Sequence, residues 1–135
     1  MQEFAERLHD PWFFLWVGYL FTIAIETPIL CVALSRQHPL SRRLFAGAWL
    51  TACTYPHVVL VIPYFFPIQE NYLLYLLMAE SVAHFGECLL FYLAFRPLEH
   101  FWRDMAAVFG ANLASFGLGL LAAHLLFEQM ANSTP

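Results

Sequence analysis

Lysine is absent from this chain: its 6 basic residues are all arginine, and charged residues of both signs make up only 12% of its 135 positions. A net charge of −4 with so few cations excludes nucleic acid as a partner class, because phosphate binding needs a basic face. Only 3 cysteines occur. Cys31, Cys53 and Cys88 form no CxxC pair, so neither a redox motif nor a disulfide framework is indicated, and they read as apolar thiols. HExxH, nucleophile-elbow, P-loop and dinucleotide patterns are all missing, which removes support for the common soluble enzyme classes. No internal repeat, low-complexity stretch or linker interrupts the chain, and no segment is left over for a soluble domain.

What the chain does have is apolar residues, 61% of the total, with 18% aromatic. They gather into four blocks, about 12–34, 44–66, 72–95 and 105–127, each long enough to cross a hydrocarbon core of about 30 Å as a helix. The reading is an all-α integral membrane protein, one transmembrane domain over 1–135, folded as a four-helix bundle of two helical hairpins with lipid as its solvent. Glu3, Glu6 and Asp10 against a single Arg7 do not make the basic start of a signal peptide, so the first span is expected to be retained. Arg36, Arg42 and Arg43 fall in the polar stretch 35–43, and Arg96 and Arg103 in 96–104. Basic short loops stay in the cytoplasm, which puts both termini on the outer side. Short loops with this bias suit a bacterial inner membrane. Trp12, Trp16, Trp49 and Trp102 sit where interfacial rings belong.

The spans contain Glu26, His57, Glu80, His84, Glu87, Asn112, Ser115 and His124, but no lysine, arginine or aspartate. A carboxylate in hydrocarbon must be protonated, paired or bound to a cation, since a stray charge there costs about 3 kcal/mol even on the lenient insertion scale. Counting about 1.5 Å per residue from the basic helix ends puts Glu26, Glu87 and Asn112 at one depth, with His84, Ser115 and His57 within about two further turns. Glu80, His84 and Glu87 stand at i, i+4 and i+7, on one helical face. Pro28 and Pro56 each remove a backbone donor beside this layer, freeing carbonyls near Ala24 and Ala52.

The leading expectation from this pattern is a divalent transition metal held by Glu26, His57, Glu80, His84 and Glu87, with Asn112, Ser115 and Thr27 supporting the ligands. Mixed carboxylate and imidazole ligands suit zinc first, and iron or manganese next. Such a site would serve metal transport or membrane-embedded chemistry. The alternatives are a proton- or cation-coupled transporter or channel subunit without fixed metal, and an accessory subunit of a larger membrane complex. Four spans are few for a whole transport path, so a homo-oligomer or larger complex would supply further walls. The span-four stripe Asn112, Ser115, Gly119 and Ala122 is suited to helix packing. Haem through His57 and His84 ranks last, because two carboxylates would flank the macrocycle.

Overall fold

The computed structural model describes residues 10–132, so the charges at Glu3, Glu6 and Arg7 lie outside the described residues. Helix α1 (Pro11–Ala33) starts where Asp10 accepts a hydrogen bond from the Trp12 amide at 3.0 Å, with Pro11 in the first turn, whose amides have no helical partner. Helix α2 (Leu40–Pro56) leads into a π-helical stretch (His57–Val61) and a last helical turn, α3 (Ile62–Phe65). Helix α4 (Tyr72–Ala94) is capped by the Asn71 side chain, which accepts from the Leu74 amide at 3.0 Å, and α5 (Phe101–Asn132) ends the described chain. No strand occurs among the described residues.

Four helical stretches, Trp12–Ala33, Leu40–Phe65, Tyr72–Ala94 and Phe101–Leu126, are long and apolar enough to cross a membrane, with mean hydropathy between 1.4 and 1.7. At most 33% of the most apolar window of any of them is buried. Side chains such as Val32, Tyr64, Phe85 and Trp102 instead face outward, as lipid-solvated helices require. Hydropathy located the apolar stretches but not the helix starts. Both α2 and α5 begin four residues before the apolar block, so Arg42, Arg43, Arg103 and Asp104 are helical rather than looped.

Helix α1 packs against α2 and α5, and α4 packs against the same two, closing a ring of four. The connections 34–39 and 95–100 meet at one end, where the Glu99 amide donates to the Gln37 side chain at 2.9 Å and Arg103 donates to the Ala33 carbonyl at 3.1 Å. The apolar core sits directly beneath them. Leu30, Leu34, Ala46, Leu50, Phe91, Phe95, Ala107, Val108 and Ala111 form one cluster, with Phe91 and Phe95 stacked at 4.6 Å. Towards the terminus side the only described apolar residues that are buried are Ile62, at 8% exposure, and Ala79.

The π-helical turn lies between Pro56 and Pro63, neither of which has an amide hydrogen with which to continue the helical ladder. The Cys53 carbonyl nearby is taken by the His57 ring, whose Nδ1 lies 2.9 Å away.

Candidate functional site

Two carboxyl groups occupy the middle of the bundle, almost without exposure: Glu26 at 1% and Glu87 at 2%. Each is clasped from two other helices. Glu26 of α1 takes Thr51 of α2 on Oε2 at 2.9 Å and Ser115 of α5 on Oε1 at 2.6 Å. Glu87 of α4 takes Thr54 of α2 on Oε1 at 2.7 Å and the Asn112 amide of α5 on Oε2 at 2.8 Å. Thr51 and Thr54 stand at i and i+3 on one face of α2, and Asn112 and Ser115 do the same on α5, so these two helices, on opposite sides of the ring, each serve both acids. The result is one polar layer built from all four spans.

No basic group belongs to that layer. The ion pairs among the described residues are all between histidine and carboxylate, and none involves Glu26 or Glu87. Glu80 lies on the terminus side of the layer and is partly buried.

The residues expected to act as one ligand set fall into three environments. Glu26 and Glu87 are buried in the layer, with Asn112 and Ser115 bonded to them. His84 is buried and Glu80 partly so, one turn apart on α4; the His84 Nδ1 lies 2.8 Å from the Glu80 carbonyl and 3.5 Å from its carboxylate, and the ring packs on Phe109 at 4.7 Å. His57 is exposed and turned onto its own helix. Thr27 packs against Gly47 at the α1–α2 contact instead of bonding either acid. Among the described residues, no group of three or more His, Cys, Asp and Glu side chains is arranged to hold a metal ion. Both His57 and His84 place Nδ1 on a carbonyl, which can only accept, so Nδ1 carries a hydrogen. Ala24 and Ala52 lie on exposed faces of their helices, away from the layer. His124 is exposed and pairs with Glu128 at 3.3 Å.

A second polar cluster, not anticipated from hydropathy, lies at the connection end. Asp104, in the first turn of α5, has no exposure. Its Oδ1 accepts from the Ser35 amide at 2.7 Å, and its Oδ2 accepts from the Ser35 hydroxyl at 2.9 Å and the Gln37 amide at 3.2 Å. The His38 Nε2 lies 3.2 Å from the same oxygen. Arg43 ties the connection from beneath, donating to the carbonyls of Cys31, Ser35 and His38. A carboxylate at a helix N-terminus also meets the positive end of the helix dipole. This cluster fastens the first connection to the start of α5. Its only warning in sequence was polar residues bordering a span, which a hydropathy reading assigns to a solvated loop.

The chain matches no known protein family, no curated protein and no solved structure.

Proposed function

We propose that this protein carries an exchangeable cation in its carboxyl layer, held at rest as protons on Glu26 and Glu87, and serves as a proton- or cation-coupled transport subunit. The observation that carries this reading is a count of hydrogens. Thr51 Oγ1 lies 2.9 Å from Glu26 and 3.0 Å from the Gly47 carbonyl. Ser115 Oγ lies 2.6 Å from Glu26 and 2.9 Å from the Asn112 carbonyl, and Thr54 Oγ1 lies 2.7 Å from Glu87 and 3.2 Å from the Leu50 carbonyl. Each hydroxyl has one hydrogen and faces two acceptors. A proton on each acid lets that acid donate to one hydroxyl, which then donates to its own helix carbonyl; this satisfies Thr54 at Glu87 and one of the two hydroxyls at Glu26, Thr51 or Ser115, while the other still shares its single hydrogen. The ionised forms would leave those contacts competing and two buried charges without a counterion, each costing several kcal/mol on the order seen for uncompensated buried charge.

Access supports the same reading. Leu30, Leu34, Leu50, Phe91 and Val108 form a dry plug between the layer and the basic end. On the other side stand the half-buried Glu80, Tyr55 and Tyr75, polar groups that a hydrated path would use. With arginine-rich loops held in the cytoplasm, the plug faces inward and the layer opens outward in a bacterial inner membrane.

Infrared difference spectroscopy of the purified protein tests the resting state: a protonated-carboxyl band should be present at neutral pH and diminish in both Glu26→Gln and Glu87→Gln. Only carboxylate bands at neutral pH would sink the reading. Proton uptake by liposomes containing the protein, lost in the same variants, tests the use.

A divalent metal is the second reading, favoured by the backbone-anchored Nδ1 of His84. Ligating histidines usually hold their other nitrogen in this way, and Glu80 is one turn away. Elemental analysis decides it. Stoichiometric zinc, iron or manganese lost in Glu80→Gln and His84→Gln favours the metal, and a metal-free protein that still moves protons removes it.

A further inference from the structure

At the basic end of the bundle an apolar groove of about 370 Å³ runs between α4 and α5, lined by Cys88, Leu89, Tyr92, Phe101 and Met105. Its mouth is held by a cation. Arg96 lies with its guanidinium 3.9 Å from the centre of the Tyr92 ring and donates from Nε to the Tyr92 carbonyl at 3.3 Å. Stacking and that bond fix the planar fork, while its two terminal nitrogens have no carboxylate within ion-pair distance, the ion pairs of the described residues being histidine–carboxylate only.

Depth fits a lipid. Trp102 is highly exposed at the start of α5, where an indole marks the headgroup level. From its end at Ala94, two residues before Arg96, α4 descends six residues to Cys88, about 9 Å at 1.5 Å per residue, so the groove runs from headgroup level into the hydrocarbon. Charge fits as well. All five described arginines, Arg36, Arg42, Arg43, Arg96 and Arg103, lie at this end, and its one fully buried acid, Asp104, is consumed by its own donors. Guanidinium recognises phosphate in a planar, two-pronged contact that a zwitterionic headgroup partly cancels with its own ammonium.

We propose that the α4–α5 groove is a binding site for an anionic phospholipid, with an acyl chain against Leu89 and Cys88 and the phosphate on Arg96. The site is independent of the carboxyl layer and of whatever that layer carries.

Native mass spectrometry of the whole protein, with phosphatidylglycerol or phosphatidylcholine of identical chains in mixed micelles, is the test. The wild type should retain the anionic lipid about fivefold better, the weight of one arginine near a charged headgroup. Arg96→Gln should reduce that preference to near unity, whereas Arg36→Gln, at a residue not among those lining the groove, should keep it. Leu89→Trp, which fills the groove with an outward-facing side chain and spares the core, should lower retention of both lipids. Labelling of Cys88 by a maleimide, in a Cys31→Ser, Cys53→Ser background, should slow when phosphatidylglycerol is added. Equal retention of the two lipids by the wild type would overturn the proposal, as would a preference that survives Arg96→Gln. A change from dimer to monomer in Leu89→Trp would also overturn it, by assigning the groove to a second copy of the chain.

Discussion

The two halves of this bundle are made from similar apolar sequence and yet are different materials. The connection-end half holds the whole apolar cluster, from Leu30 and Leu50 to Phe91 and Val108, and is fastened by Asp104 to the Ser35–His38 connection. The terminus-side half buries little beyond Ile62, Ala79 and His84 among the described residues. It also contains the π-helical stretch after Pro56. The lesson is that lipid can solvate apolar side chains without helix–helix contact, so hydrophobicity alone does not make a core in a membrane; close fit and buried hydrogen bonds do. One half is closely packed, and the other leaves most of its described side chains to the surroundings of the bundle.

The comparison breaks most readily at its aromatic plug. Phe91→Ala should destabilise the protein by about 3–5 kcal/mol, whereas Leu73→Ala, on an exposed face of the other half, should stay within about 0.5 kcal/mol. Equal losses in detergent unfolding titrations would show that the halves are packed alike. Next comes the latch. Asp104→Ala strands the Ser35 amide and hydroxyl, the Gln37 amide and the His38 ring, and should cost about 3 kcal/mol; Glu80→Ala, partly exposed, should cost less than about 1. A smaller effect at Asp104 than at Glu80 would reverse the assignment of the fastened end.

Glycines sharpen the contrast further. A methyl at Gly47 would run into the Thr27 backbone, while one at Gly18 would meet only the tip of Tyr55, which can swing. Gly47→Ala should therefore cost about 1–3 kcal/mol as overpacking does, and Gly18→Ala clearly less. Gly110 faces open space, and Gly110→Ala should gain about 0.5–1 kcal/mol of helix propensity. Melting temperatures of the three variants, ranked in that order, check the set. A small effect is expected at the layer itself. Glutamine resembles a protonated glutamate in shape and hydrogen bonding, so Glu87→Gln should change stability by less than about 1 kcal/mol, within the range of isosteric swaps. A loss comparable to Asp104→Ala would mean that Glu87 is held as an anion.

Much of this was legible in the chain. Twenty-residue apolar blocks leave few options for a backbone that must satisfy its own hydrogen bonds in lipid, so four helices follow from composition. Counting the rise per residue brought Glu26, Glu87, Asn112 and Ser115 towards one layer, because helix geometry is nearly fixed. Thr51 and Thr54 were not legible as partners of the acids, since threonine is equally at home against its own helix carbonyl, as both also are here. His57 and His84 illustrate the same limit. Their register matches the layer, but each ring turns to a carbonyl one turn back, a rotamer that spacing does not encode.

By itself, then, the sequence determined four helices long and apolar enough to cross a membrane and the positions of the ionisable groups along them, because these depend on composition and on a constant rise along each helix. Only the tertiary structure decided which side chains meet: Glu26 with Thr51 and Ser115, Glu87 with Thr54 and Asn112, and Asp104 with a connection 66 to 69 residues away in the chain. The physical reason is that helix rotation and rotamer choice are fixed by contacts between helices, and those contacts join positions that no local pattern relates.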